Sequence, residues 1–218
     1  MYSLRLYHDQ FEGNAKTEID LYDQHSIYFI RQGSASLNAQ TFNAYETTYT
    51  REPTTVSAAA DGATIWRWEL VRTASPFNLA KGEGIRSKLK MTREVKMFEL
   101  YPKSKWLFKL DSIINHTGTT GLHSHPGSGI RCMLEGEFDI ESNFGESFLG
   151  VKKGDAWYEE GAYPLVSTSP DGVETTFLRG MILPPEYEKY PDTAMWIEGA
   201  KTHHSEWKLY SQQLVTLL

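Results

Sequence analysis

Two histidines, His123 and His125, stand two apart in the stretch Gly121-Leu-His-Ser-His-Pro-Gly-Ser-Gly129. On an extended segment the side chains at i and i+2 point to one face, so both imidazoles can converge on one ion. Two imidazoles alone hold a transition metal weakly, and a stable catalytic site usually has three protein ligands and an open position. Candidates for the third ligand are Glu159, Glu160, Tyr163, His116 just upstream, and His203-His204 in the tail. By alternation only one of Glu159 and Glu160 faces inward. Glu159 is preferred, because Trp157 then shares its face and supplies an apolar wall. His123, His125 and Glu159 would form a two-histidine, one-carboxylate set, which suits iron(II), manganese, nickel or zinc. The plainer alternative is that the histidines satisfy a turn and Glu159 is a solvated rim residue. His203 and His204 are adjacent, would point to opposite faces of a strand, and read as surface.

After the histidines come a Pro126-Gly-Ser-Gly129 turn, an apolar run from Ile130 to Leu134, and an abrupt Glu135-Gly-Glu137 turn. This order of glycine, His-x-His, short loop, strand and closing glycine resembles the first motif of the cupin superfamily. The resemblance implies a glutamate ligand just after the short loop, where this chain has Gly129. It also implies a second motif of Gly-Asp, apolar residues, Pro, Gly and a last histidine ligand. Gly154-Asp-Ala-Trp-Tyr-Glu-Glu-Gly-Ala-Tyr-Pro164-Leu165 matches its start and length, but the histidine's place falls on Tyr163, Pro164 or Leu165. Two of the four ligands implied by the family therefore remain. If Gly129 holds the inward ligand position, alternation turns Arg131 and Met133 inward as well. A buried guanidinium needs a partner. Here that would be Glu159, or a substrate carboxylate held as a bidentate pair. Cys132 would then point outward into packing.

The elements that must hold these groups read as strands. In the first third, Tyr2 to Leu6 and Ile19 to Leu21 alternate with polar residues, and His25 to Gly33 is a strand ending at a glycine turn. Ser34 to Asn38, Thr41 to Tyr49, Thr54 to Ser57 and Ala63 to Leu70 follow, with Asp61-Gly62 as a hairpin signal between the last two. Trp66 and Trp68 share one face and read as core. Residues 71–90 change to loop chemistry. Strands resume at Leu89 to Leu100 and Trp106 to Ile114, with Tyr101-Pro-Lys-Ser-Lys105 as the turn. Asp171-Gly172 is a second hairpin signal before Thr175 to Leu183. A short helical turn is expected within 184–191, and Trp207 to Tyr210 is extended. Many short strands with regular turns give an all-β sandwich or barrel.

An internal repeat organises the chain. Ile27-Tyr-Phe-Ile-Arg-Gln-Gly33 runs parallel to Ile130-Arg-Cys-Met-Leu-Glu-Gly136, and Ala63-Thr-Ile-Trp-Arg-Trp-Glu-Leu70 matches Thr175-Thr-Phe-Leu-Arg-Gly-Met-Ile182 in type. The first copy lacks His-x-His, and only His25 stands near that place. The expected fold is an all-β double-stranded β-helix, the cupin jelly roll, in two tandem units with the first degenerate. Its expected division is 1–75 for the first unit, 76–94 a linker, 95–185 the histidine-bearing cupin, and 186–218 a tail packing back on the barrels. A single barrel wrapped by long extra strands is the alternative.

The chain has 218 residues, 40% hydrophobic and 23% charged, as an ordinary globular protein has. A net charge of −6 and the lack of a Lys/Arg cluster argue against nucleic acid. No apolar run is long enough to span a bilayer, no signal-peptide core opens the chain, and Cys132 is the only cysteine. A cytoplasmic protein is expected. No Gly-x-Ser-x-Gly elbow, P-loop or Rossmann fingerprint occurs, which leaves metal-based chemistry, simple acid/base chemistry, or binding alone. By resemblance the expected function is a metal-dependent enzyme on a small organic substrate. Glu159, Arg131 and Tyr163 are the candidate catalytic residues, the chemistry is dioxygenase-like, with isomerase or lyase alternatives, and a homodimer is implied. The other reading is a non-catalytic cupin that binds or senses a small molecule or sugar, and a purely structural barrel is a third.

Overall fold

The structure, a computed structural model, describes residues 1–20, 24–96, 104–116, 118–190, 192–201 and 205–217. The chain divides into two compact units, Met1–Glu94 and Val95–Leu218. Both are all-β; a 3-10 turn at Pro185–Lys189 is the one helical element among the described residues, and it falls where the paired prolines predict it. No described helix is long and apolar enough to cross a membrane.

The first unit holds β1 (Tyr2–Phe11), β2 (Lys16–Ile19), β3 (His25–Leu37), β4 (Gln40–Asn43), β5 (Thr47–Thr50), β6 (Thr54–Arg72) and β7 (Ile85–Glu94). They form one sheet in the order β4-β3-β6-β1-β7, with β2 on β6 and β5 on β3. Two expected turns are absent. Gly33 does not end a strand, and Asp61-Gly62 does not close a hairpin; β3 and β6 run through them. The physical reason is a close crossing. A Cβ on Gly33 would lie 2.1 Å from the Gly62 carbonyl oxygen, and both glycines have positive φ, +73° and +79°. The register between β3 and β6 slips there, from Gly33 opposite Ala63 to Ala35 opposite Ala58. The glycines therefore make a bulge that bends two long strands.

The expected linker 76–94 is also corrected. Ile85–Glu94 is strand β7, paired along β1 from Phe11 opposite Ile85 to Ser3 opposite Glu94. Its basic residues suit a sheet edge, where long charged side chains reach water. The loop chemistry belongs to 73–84 alone, and the boundary between the units falls after Glu94. Of the turn expected over 101–105, residues 101–103 lie outside the described residues, as do the end of the Leu89–Leu100 strand and Leu21, and Lys105 already opens the next strand.

The second unit holds β8 (Lys105–Asn115), β9 (Gly118–Thr119), β10 (His123–Ser124), β11 (Gly129–Glu135), β12 (Glu137–Ser142), β13 (Phe148–Lys152), β14 (Ala156–Glu159), β15 (Leu165–Ser169), β16 (Thr175–Leu183), β17 (Met195–Trp196) and β18 (Glu206–Thr216). One sheet runs β13-β12-β15-β10-β17, with β9 on β15, and the other runs β14-β11-β16-β8-β18. Asp171-Gly172 is a turn, but it is no hairpin: it carries the chain from β15 in one sheet to β16 in the other. The segment 186–218 packs back on the second unit by strand pairing: β17 pairs with β10 and β18 runs the length of β8. Between the sheets lies an apolar core of Met133, Phe138, Ile140, Val151, Trp157, Leu165 and Phe177.

The repeat legible in the sequence is a repeat of strand order. β5-β3-β6-β1-β7 in the first unit corresponds to β14-β11-β16-β8-β18 in the second. Its register agrees as well. Tyr28 and Tyr7 lie opposite Arg67, and Arg131 and Asp111 lie opposite Arg179. Arg67 and Arg179 are the residues that the sequence repeat aligns.

Candidate functional site

The candidate site lies in the second unit, and strand alternation builds its floor. On β11, Gly129, Arg131 and Met133 share the inward face, while Ile130, Cys132 and Leu134 take the other; Cys132 is buried there, its thiol 3.9 Å from the Gly154 carbonyl oxygen. β14 sets Glu159 opposite Gly129 and Trp157 opposite Arg131. The Trp157 indole N–H donates to Glu159 Oε1 at 2.8 Å. Arg131 Nη2 lies 2.7 Å from Glu159 Oε2, although neither atom makes a well-aligned hydrogen bond. The separation is that of an ion pair and the direction is not that of a hydrogen bond, so the contact acts through charge. Arg131 is fully buried, and its Nη1 donates back to the Gly129 carbonyl at 2.6 Å.

The two histidines arrive on β10 and its continuation. His123 Nδ1 is 2.8 Å from the Gly121 carbonyl oxygen, and His125 Nδ1 is 3.0 Å from that of Thr193. A carbonyl can only accept, so each Nδ1 carries the proton and each Nε2 is left as an acceptor in the neutral ring. Burial pushes the His123 pKa down. It pushes His125 well below its ordinary value, and the Arg131 charge adds to this. The rings stand edge to face with centroids 5.1 Å apart. His125 Nε2 comes within 3.4 Å of Glu159 Oε2.

Sequence reasoning missed a second group of charges. Arg179 on β16 grips Asp111 on β8 with two bonds of 2.8 Å, and Lys109 Nζ lies 3.0 Å from the same carboxylate. Burial alone would raise the Asp111 pKa, but Arg179 and then Lys109 outweigh it and hold the carboxyl below its usual value. The available signal was a lone arginine in the apolar strand Thr175–Leu183, spaced by two from Phe177 and Met181. Arg179, His123, His125 and Glu159 line a cavity of about 270 Å3. Its walls include Phe138, Phe177, Trp196 and Trp207, with Asn115, Thr120, Ser167 and Ser205 as polar points.

The other expected ligands are not brought to this place. Glu160 faces away, with Lys96 Nζ 3.3 Å from its carboxylate. His116 is at the surface between Glu174 and Glu206, 3.2 and 3.5 Å away. Tyr163 is exposed and lies beside Gly145, so it is not placed as a catalytic group. His203-His204 lie outside the described residues. Among the described residues no three His, Cys, Asp or Glu side chains converge as a metal-holding set. The proposed triad of His123, His125 and Glu159 falls short because Glu159 is already engaged by Arg131 and Trp157. Gly129 adds no side chain, and a Cβ there would meet the Gly180 carbonyl oxygen at 2.6 Å and Arg131 Nη1 at 2.9 Å. As they stand, these residues do not fit a tightly held divalent metal.

No family model and no curated protein matches the sequence. Solved structures do match the fold. The oxalate decarboxylase of Lactobacillus farciminis, in a formate complex, superposes with a TM-score of 0.59 at 11% identity, covering 88% of this chain and 79% of that one. A single-site mutant of the Bacillus subtilis oxalate decarboxylase gives 0.56 at 12% identity, covering 82% and 68%. The protein YhaK from Escherichia coli gives 0.50 at 13% identity, covering 84% and 86%. At these identities the likeness is one of fold. Together with the strand order and the paired sheets, it makes this chain an all-β protein of the cupin jelly-roll fold.

Proposed function

We propose that the second unit binds a small organic molecule rich in hydrogen-bond donors, such as a sugar or polyol, inside its barrel. The observation that carries this reading is the lining of the cavity. That lining brings together His123 and His125, each with Nε2 as an acceptor, the Glu159 carboxylate, and the rings of Trp196 and Trp207. Hydroxyl groups satisfy the acceptors, and the apolar face of a sugar ring packs on indole. A cavity of about 270 Å3 suits a ligand the size of a single ring. The test is titration calorimetry and melting of the full chain against a panel of monosaccharides and small polyols. At least one should bind. Trp196→Ala and His125→Ala should each weaken it by about tenfold or more, as loss of an anchoring group does. A panel without a binder removes this reading.

The second reading is a metal-dependent enzyme, with dioxygenase-like chemistry or, as the likeness in fold suggests, work on a small carboxylate. One observation favours it: both imidazoles are fixed by backbone carbonyls through Nδ1, which leaves Nε2 the unprotonated nitrogen, the tautomer a metal ligand needs. In that reading Arg131 or Arg179 would hold an anionic group. Elemental analysis of the untagged protein beside its His123→Ala/His125→Ala variant tests it. One ion per chain that is absent from the variant would favour the enzyme.

A further inference from the structure

Neutral imidazole nitrogens and a carboxylate oxygen gathered in one place make an acceptor-only set, which is stable beside a positive charge. Around His123, His125 and Glu159 that charge is part of the chain. Arg131 projects inward from β11 and turns back over Gly129, so that its Nη1 reaches the Gly129 carbonyl at 2.6 Å and its Nη2 lies 2.7 Å from Glu159 Oε2. The guanidinium fills the space that a side chain on residue 129 would enter, since a Cβ there would stand 2.9 Å from Nη1. It is fully buried, and an arginine does not give up its proton in a protein. Arg179, on the next strand in register with Arg131, is already neutralised by its two bonds to Asp111, so the charge that faces the acceptors is that of Arg131. The strand that brings Glu159 to the cavity therefore also brings it to Arg131.

We infer that Arg131 decides the class of ligand this site accepts: its guanidinium is the built-in counter-ion of the His123, His125 and Glu159 acceptors and excludes a divalent cation from them. A dication at the imidazole nitrogens would lie beside the buried Arg131 guanidinium, whose like charge repels it. To gain Glu159 as a ligand it would have to part the carboxylate from Arg131 and leave a buried charge without its partner. A neutral ligand with O–H or N–H donors meets neither obstacle. The inference concerns metal alone, so it stands or falls independently of which organic molecule binds.

The experiment compares the untagged full chain with Arg131→Met, which removes the charge and keeps an unbranched side chain of similar reach. Both are stripped with chelator, titrated with Zn2+, Mn2+ and Ni2+, and melted with and without each ion. The parent should show no uptake that His123→Ala abolishes, and its melting temperature should not move with ion or chelator. Arg131→Met should melt lower in chelator, recover with at least one ion, and bind that ion about tenfold or more tightly than the parent. Adding His123→Ala to it should remove that gain. A parent that holds one ion at this site, or an Arg131→Met protein with unchanged metal affinity, overturns the inference. Arg131→Gln serves if Arg131→Met does not fold, and the parent titration can overturn the idea by itself.

Discussion

Arg67 and Arg179 occupy the same place in the two units, the middle strand of β3-β6-β1 and of β11-β16-β8, and they are satisfied in different ways. Arg67 donates to Asp9 at 3.0 Å, contacts Glu69, and donates to the Asn78 carbonyl at 2.7 Å. Tyr7 and Tyr28 stand on either side in register, with the guanidinium over the Tyr7 ring. Burial would lower the pKa of Arg67, but Asp9 outweighs it and holds the arginine charged. Ser87 closes the group by donating to Asp9 at 2.5 Å. Arg179 instead has Arg131 and Asp111 beside it, and it lines the cavity that holds the two imidazoles. Replacing Tyr28 by Arg131 and Tyr7 by Asp111 at matched inward positions changes a closed ion cluster into an open, charged floor. A repeat of strand order does not carry a repeat of chemistry, because the backbone ladder fixes which positions meet and leaves the side chains free to differ.

The largest effect that tests this contrast is loss of the central arginine. Arg67→Met leaves two buried carboxylates without their cation and should cost about 3–5 kcal/mol in urea unfolding. Arg179→Met should cost less, because Lys109 stays 3.0 Å from Asp111. An equal or larger loss at Arg179 would break the distinction between closed and open clusters.

The closing glycines of the two repeats should differ by a smaller margin. A Cβ at Gly33 would meet the Gly62 carbonyl oxygen at 2.1 Å; at Gly136 it would meet that of Glu174 at 2.6 Å, and both positions have positive φ. Each Gly→Ala change should therefore destabilise by about 1–3 kcal/mol, with Gly33→Ala the worse. If Gly136→Ala proves the more damaging, the bulge between β3 and β6 is not the tighter crossing.

The smallest effect separates the units by pH. His123 and His125 are held below their ordinary value of 6.5 by burial, with Arg131 acting on both in the same direction. Above pH 6.5 the folded and unfolded states are both neutral there, and the full stability is present. As pH falls below 6.5 the unfolded chain takes up protons that the fold refuses, so stability falls progressively toward pH 5. His8 in the first unit is pushed down by burial and then by Lys90, and acts in the same direction. The His123→Asn/His125→Asn protein isolates the share of the second unit: its stability between pH 7 and 5 should be flatter than the parent's. An unchanged slope would place the pH response in the first unit.

Much of the fold was legible because it depends on period and order. Alternation of inward and outward residues sets Arg131, Met133, Trp157 and Glu159 on one side and Cys132 and Glu160 on the other, and the two-part repeat aligns Arg67 with Arg179 by sequence alone. The turns were less legible. Asp61-Gly62 and Asp171-Gly172 are the same dipeptide with positive φ at the glycine, yet one bends a continuous strand and the other joins two sheets. What distinguishes them is the partner backbone, which at Gly62 is the Phe11 carbonyl oxygen, 2.6 Å from where a Cβ would stand. Linear sequence carries no record of that distance.

The site divides in the same way. The amino-acid sequence by itself determined the inward stripe of ionisable groups and the histidine pair, because a strand with a period of two leaves each side chain only two directions. Which of those groups neutralise one another was decided by tertiary structure. Glu159 meets Arg131 across a β-ladder, Arg179 meets Asp111 across another, and two backbone carbonyls, one local and one 68 residues away, fix the histidine tautomers. Charge pairing acts over a few ångströms in space, and only the folded sheets set those distances.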